Sequence, residues 1–273
     1  MNIQTAAKTA TEQVLLREDV GPIAVVTLNR PAARNSLSEA LLVALTGTFA
    51  TIAADKAIRA VVLTAQGTAF CAGHDLKELT GRRSDADCGR GYFKHIMTTC
   101  SAMMARIVGL PQPVIAAVQG PASAAGCQLV ASCDLAVAAP SARFATPGVD
   151  IGLFCSTPMV ALSRNVARKH AMEMLLTGEL ISAEEAARIG LINRVVATGT
   201  ERQAALDLAN TVAAKSSHVI GIGKAAFYRQ IELPLAEAYA YTSEVMTENM
   251  MAWDAEEGIG AFIEKRSPDW EDR

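Results

Sequence analysis

Two stretches of small residues carry the chemistry open to this chain. In Gly120-Pro-Ala-Ser-Ala-Ala-Gly-Cys-Gln-Leu-Val-Ala-Ser-Cys-Asp-Leu135 the small side chains let the backbone turn sharply and approach a ligand, and the apolar-periodic run from Cys127 onward predicts a helix beginning at that turn. The first N–H groups of such a helix lack intrahelical acceptors and sit at the positive end of its dipole, so they face whatever binds there. Upstream, Thr68-Ala-Phe-Cys-Ala-Gly-His-Asp-Leu-Lys-Glu78 repeats the design: an apolar strand (Val61 to Thr64), a small-residue turn, then a helix start. Two such turns side by side would aim paired N–H donors at one carbonyl oxygen. That is an oxyanion hole, which stabilises an enolate or a tetrahedral oxyanion without supplying an acid or a base.

The elements that must position these turns follow one pattern. Val14 to Arg17 and Ile23 to Leu28 read as a hairpin around Asp19-Val-Gly-Pro22. Asn29 to Ser36 is a loop, and Ser38 with Glu39 opens an amphipathic helix running to about Ala54. Ala60 to Thr64, Val114 to Val118 and Leu135 to Ala138 read as strands, and Lys94 to Val108 as a long helix. Strand, turn and helix recur with glycine at the turns, which is an α/β arrangement of stacked crossovers. Beyond Leu153 helices dominate: Thr157 to Leu176, Ser182 to Ile189, Glu201 to Lys215, Ile222 to Ile231 and Leu235 to Met251. Ser182 and Glu185 form a capping-box pattern. Tyr239, Tyr241, Met246, Met250 and Met251 are candidates either for an oligomer interface or for internal core.

The composition, 51% hydrophobic and 19% charged over 273 residues with a net charge of −3, is that of a soluble globular protein. It has no basic excess to suggest nucleic acid as a partner. The apolar run from Leu129 to Ala139 is interrupted by Asp134, so no membrane span is expected. Residues 1–13 are polar and threonine-rich and read as a flexible tail. The six cysteines (Cys71, Cys88, Cys100, Cys127, Cys133, Cys155) show no CxxC pair and no spacing for a metal. They are expected to be reduced core residues of a cytosolic protein, and no metal site is expected.

The order and spacing of these motifs, from Ile23-to-Leu28 with Asn29-Arg-Pro31 through to Phe262-Ile-Glu-Lys-Arg266, resemble the crotonase, or enoyl-CoA hydratase/isomerase, superfamily over nearly the whole length. Gly152-Leu-Phe-Cys-Ser-Thr-Pro158 and Thr177-Gly-Glu-Leu-Ile-Ser182 are similar to the branch of enoyl-CoA hydratase domain-containing protein 3. The resemblance implies a spiral of ββα units over residues 14–200 and a helical trimerisation region over 201–273. It implies a homotrimer or a pair of trimers, an acyl-CoA thioester as partner with coenzyme A entering as part of the substrate, and a place in fatty-acid metabolism. Carried over by position, the oxyanion donors are the backbone N–H groups of His74 and Ala125. Coenzyme A contacts fall on Ala33 and Arg34, on Ala72, Asp75 and Lys77, and, from a neighbouring subunit, on Phe262 and Lys265. Arg34, Lys77 and Lys265 suit phosphates by charge. Backbone donors tolerate alanine at 125 provided its dihedrals suit a residue with a Cβ.

Hydration of an enoyl thioester needs one group to take a proton from water and another to protonate the α-carbon, and the family's hydratases use two glutamates. Their positions fall on Gln128 and Gly148. Glutamine exchanges no proton near neutral pH and glycine has no side chain. Such groups are worth roughly 10²–10⁴-fold each, so the sequence argues against a fast hydratase and toward weak hydration, isomerisation, decarboxylation or acyl-CoA binding alone. Asp150 is one substitute: in extended chain it shares the face of Gly148, about 6–7 Å further along. Ser156, aligned with an acidic residue of dienoyl-CoA isomerases, is another, though a poor base when unassisted. Cys155 would need a lowered pKa, the His74 imidazole has no catalytic role in the family, and Asp75 is placed to cap a helix.

Overall fold

β1 (Leu15–Val20) and β2 (Ile23–Leu28) form the expected antiparallel hairpin, turned at Gly21, whose φ of 58° lies in the left-handed region that glycine enters freely. The computed structural model describes residues 13–273. The tail expected over 1–13 lies, apart from Gln13, outside the described residues, and the Gln13 carbonyl accepts from Asn29 Nδ2 at 2.7 Å.

After the hairpin come α1 (Glu39–Ala54), β3 (Ala60–Ala65), α2 (Leu76–Gly81), α3 (Arg90–Gly109), β4 (Val114–Val118), β5 (Ala122–Ser123), α4 (Ala125–Ser132), β6 (Leu135–Ala138) and β7 (Arg143–Ala145). Ser38 caps α1 as expected, its hydroxyl accepting from the Leu41 N–H. The helix expected over Thr157 to Leu176 is two helices, α5 (Pro158–Asn165) and α6 (Arg168–Thr177). The break falls at the extended Val166, where the Asn165 side chain donates to the Ala131 and Ala161 carbonyls at 2.8 Å each and ties the end of α5 to α4. β8 (Ile181–Ser182), α7 (Ala183–Arg188), β9 (Arg194–Val195), α8 (Glu201–Ala213), α9 (Ser217–Gln230), α10 (Leu235–Met250) and an unanticipated α11 (Trp253–Glu264) complete the order. Only half of the capping box at α7 forms. Ser182 Oγ accepts from the Glu185 N–H, but the Glu185 carboxylate turns to Arg188 instead of back to the cap.

The main sheet has the order β1-β2-β3-β4-β6-β9, with every pairing after the hairpin parallel. A small sheet, β5-β7-β8, lies beside it. Alternation along β2 explains its unbroken apolar sequence. Ala24, Val26 and Leu28 pack with α1, α3 and α4 in the larger core, while Ile23 and Val25 pack on the other face with Ala205, Leu206 and Ala209 of α8. No described helix is long and apolar enough to cross a membrane.

A buried polar knot joins the C-terminal helices to this core. Lys224 of α9 places Nζ 2.7 Å from Asp134 Oδ2, just before β6, and also donates to the Ile107 and Gln112 carbonyls. Asp134 takes Tyr228 OH and the Val114 N–H as well. Burial pulls the Lys224 ammonium pKa down against the attraction of Asp134. On the outer side, Tyr239, Met246, Met250 and Met251 are exposed, Met251 to 80%, so they do not belong to the core of this chain. Tyr241 is half-buried beneath the Arg229 guanidinium, 4.6 Å from its ring centre.

Candidate active site

The two small-residue turns lie against one another. The Phe70 N–H donates to the Pro121 carbonyl at 3.0 Å and the Ser123 N–H to the Cys71 carbonyl at 2.9 Å, so residues 70–71 run beside 121–123. Glycine is required here by close approach: a Cβ on Gly126 would stand 2.1 Å from the Cys71 oxygen, and one on Gly120 2.2 Å from the Thr68 oxygen. Gly73, at φ 97°, faces the start of α4, the Cβ it lacks lying 3.1 Å from Ala124 Cβ and 3.5 Å from the Ala125 nitrogen. His74 and Ala125 are therefore brought together, and neither backbone N–H has an acceptor among the described residues.

The conformational burden falls one residue before the position the sequence singles out. Ala125 is the first residue of α4, whereas Ala124 takes φ 50° and ψ −116°, a region that disfavours residues with a Cβ and costs about 1–3 kcal/mol. Its N–H donates to the Ala145 carbonyl at 2.9 Å, which holds the turn to β7.

Around the turns the coenzyme A candidates divide. The Ala72 N–H donates to the Arg34 carbonyl at 3.0 Å, so the Ala33–Arg34 loop sits beside Ala72. Buried Asn35 pins that loop, accepting from the Arg30 N–H and donating to the Gln66 and Ala69 carbonyls. Arg34 and Lys77 are exposed. The Asp75 carboxylate is committed within the chain: it caps α2 through the Lys77 and Glu78 N–H groups and accepts from Arg30 and Ser36. Burial works upward on its pKa, but Arg30 and these N–H groups outweigh it and hold the carboxyl below its usual range. Phe262, 84% exposed, and Lys265, in left-handed conformation at the end of α11, stand on the C-terminal helices.

Gln128 is buried, its N–H bonded to the Ala124 carbonyl at 3.0 Å and its Oε1 without a partner. Gly148 is buried and tightly enclosed, since a Cβ there would lie 2.9 Å from the Leu153 oxygen and 3.0 Å from Cys155 Sγ. The extended geometry assumed for Asp150 does not hold. Pro147–Ile151 is a 3₁₀ turn, in which residues two apart diverge by about 120°. Asp150 is exposed and its Oδ2 lies 3.0 Å from the Cβ that Gly178 lacks, beside the end of α6. Ser156 is exposed, its hydroxyl donating to the Phe154 carbonyl at 3.3 Å. Cys155 is buried and burial pushes its thiol pKa up, the opposite of activation. Five cysteines are buried as expected, but Cys88 is exposed, in a left-handed turn before α3.

One polar side chain here escapes the sequence reading. Thr146 is fully buried and its Oγ1 has no partner; the signal was a lone hydroxyl between apolar Phe144-Ala145 and Pro147-Gly148. Both ring nitrogens of His74 are also buried and unpartnered. Burial pushes the His74 pKa down, against a weaker opposing effect of the Leu37 carbonyl, so the ring is neutral at pH 7. Unfolding restores the ordinary value of 6.5. The unfolded chain then binds more protons below that pH, and stability is expected to fall as pH drops through about 6.5. Urea midpoints on either side of that value check this; His74→Leu should flatten the dependence, and an unchanged slope would exclude His74 as its source. The surface hollows, about 300 Å³ lined by Ala53 and Arg106 among others and about 120 Å³ lined by His170 and Glu185 among others, touch neither turn.

This geometry agrees with what the chain is similar to. The family described as Enoyl-CoA hydratase/isomerase matches residues 18–273. The enoyl-CoA hydratase domain-containing protein 3 of Rattus norvegicus is 47% identical over 245 residues, 90% of this chain and 80% of that protein. An enoyl-CoA hydratase structure from Mycobacterium smegmatis superimposes with a TM-score of 0.90 at 52% identity, covering 95% of this chain and 99% of that one. The human domain-containing protein 3 structure gives 0.89 at 45%, covering 94% and 100%. The rat protein is named as mitochondrial, as are those of Xenopus laevis and human, which overturns the cytosolic expectation. Reduced cysteines argue only against an oxidising compartment and do not separate the cytosol from other reducing ones. With the family match running from the first strand to the last residue and the fold superimposing throughout, the chain belongs to the enoyl-CoA hydratase/isomerase family, the crotonase superfamily.

Proposed function

We propose that the chain binds the thioester carbonyl of an acyl-CoA between the backbone N–H groups of His74 and Ala125 and stabilises the enolate that develops on that oxygen. The observation that carries this is the pair of unpaired N–H groups meeting across the contact of Gly73 with Ala124. Donors fixed in place before the reaction are worth most where charge develops. Arg34 and Lys77 flank the same turns and would meet the phosphates, with Ala33 and Ala72 lining the approach. Phe262 and Lys265 of a second copy would reach the nucleotide end, and the exposed apolar faces of α10 and α11 would join the copies as a trimer or a pair of trimers. Coenzyme A enters with the substrate, and the reading needs no separate cofactor.

Gln128 and Gly148 leave water addition without its acid and base, so hydration is slow and the favoured chemistry needs enolate stabilisation alone. Decarboxylation of a 2-carboxyacyl thioester fits: the bond to CO2 breaks, its electron pair passes to the enolate oxygen, and the α-carbon then takes a proton from water. Isomerisation would need a proton carrier besides. A second reading, an acyl-CoA-binding or regulatory scaffold, is favoured by the displacement of Asp150, Ser156 and Cys155 from catalytic duty.

Incubation with 2-enoyl and 2-carboxyacyl CoA esters in heavy water, followed by mass, separates these. Loss of CO2 from the 2-carboxyacyl esters with one deuterium entering at the α-carbon is expected, and deuterium entering without loss of CO2 would reveal a proton carrier the reading does not include. Fast addition of heavy water to the enoyl esters would refute the missing acid and base. Binding with no mass change selects the scaffold, and failure to bind any ester sinks both readings.

A further inference from the structure

Of α11 only Asp254 and Ala261 are buried, and a helix with so little apolar face in contact needs another anchor. Residues 266–273 supply it by running back along α11 from its last turn to its first. Arg266 clasps Glu257 through two nitrogens, at 2.5 and 2.8 Å, and the Asp269 N–H donates to the same carboxylate at 2.8 Å. The Trp270 ring lies on Gly258, where a Cβ would stand 3.0 Å from it. Buried Asp254 accepts from the Glu271 N–H at 2.9 Å, its own N–H donates to the Arg273 carbonyl at 3.0 Å, and the Arg273 guanidinium lies 5.3 Å from the centre of the Trp253 ring. The same residues grip the rest of the chain. Trp270 Nε1 donates to the Ala214 carbonyl at the end of α8 at 3.1 Å. Asp272 accepts from the Ser217 N–H at the start of α9 at 2.7 Å and pairs with Arg59 ahead of β3, while Asp254 also takes the Ser216 hydroxyl.

We propose that residues 266–273 are a strap seating α11 on the junction of α8 with α9, which makes Trp270 and Asp272 positioning residues for Phe262 and Lys265. The strap then sets how tightly the nucleotide end of an acyl-CoA is held and leaves its acyl end alone. This rests on the acyl-CoA reading, in which those two side chains reach the nucleotide. Leverage is the physical reason. Lys265 stands about 16 Å along the helix axis from Asp254, so a tilt of about 10° at the seat moves it by about 3 Å, a whole hydrogen-bond length. Phe262 and Lys265 have no contact with the strap's grip on α8 and α9 except through α11 itself, so they feel it only as a change in where the helix points.

Trp270→Ala and Asp272→Gly, compared with the parent and with Lys265→Ala, test this. Asp272 has φ 59°, which glycine adopts freely, and its side chain is 31% exposed, so this variant carries the test should Trp270→Ala not fold. Amide hydrogen exchange should quicken in α11 of both strap variants and stay unchanged in β3 and β4. By calorimetry each should bind butanoyl-CoA about tenfold more weakly, the size of one charge-assisted hydrogen bond. S-butanoylpantetheine, which lacks the nucleotide, should bind them as it binds the parent. Unchanged exchange in α11 overturns the strap. Equal weakening of both thioesters shows a general loss of structure and overturns the positioning role. If α11 loosens and butanoyl-CoA binds as before, the proposal also fails, and Lys265→Ala then tells the two failures apart: weaker binding of butanoyl-CoA by that variant keeps the coenzyme A reading, and unaltered binding removes it at the nucleotide end.

Discussion

Proline at position 125 is expected to lower turnover of the acyl thioester, read as loss of CO2 from a 2-carboxyacyl-CoA, by about 10²–10³-fold. The substitution deletes one of the two N–H groups that face the carbonyl oxygen. That N–H makes no bond within the described chain, so no internal interaction is lost with it. Proline is well accommodated at the first position of a helix, which is where Ala125 stands. It does restrict the residue before it, and Ala124 already holds φ 50° and ψ −116°. The comparison is therefore between Ala124→Gly and Ala124→Gly with Ala125→Pro, glycine having the freedom to adopt that conformation in both. Turnover unaltered in a double variant that melts with its glycine parent would remove the oxyanion assignment.

Lys224→Met is expected to destabilise the protein by about 3–5 kcal/mol, the cost of leaving one member of a buried ion pair uncompensated. Asp134 would keep Tyr228 and the Val114 N–H but lose its counter-charge, with the Ile107 and Gln112 carbonyls losing their shared donor. Against total stabilities of about 5–15 kcal/mol, such a loss approaches unfolding at physiological temperature. Adding Asp134→Asn should recover part of it, because the amide carries no charge to strand and its oxygen still accepts from the Val114 N–H. Urea titration of the parent and the two variants decides this. A Lys224→Met midpoint within about 1 kcal/mol of the parent, the size expected for an exposed pair, would show that water reaches Asp134 and that the knot is not sealed.

The legible parts of the fold were those where burial leaves a pattern. β3, β4 and β6 stood out as unbroken apolar runs because both faces of the sheet are covered, and Ser38 stood out because a cap is local chemistry. The break at Val166 was invisible: it depends on Asn165 reaching the Ala131 carbonyl of another helix, and no local propensity records that. α11 went unseen although its turns carry apolar residues, since much of its face packs on nothing within the chain. At the site, the glycines at 120 and 126 were informative because backbone contact excludes any other residue. Ala124 was uninformative for the converse reason, a residue with ordinary preferences held in an unusual conformation by its neighbours. Asp150 misled through geometry, Pro147 starting a 3₁₀ turn where extended chain was assumed.

The enclosure of Gly148 bears on the history of the site. On the proposed alignment, the two positions that lack a carboxylate are unequal in their reversibility. Gln128 differs from glutamate by one amide group of the same length, so a lineage could recover an acid there in a single step with no change of shape. At Gly148 the first carbon of any side chain would enter space held by the Leu153 carbonyl and the Cys155 sulfur, so the segment 153–155 would have to retreat first. A carboxylate at 148 therefore asks for two coordinated changes, one at the position itself and one in the backbone of 153–155 that encloses it, whereas at 128 it asks for one.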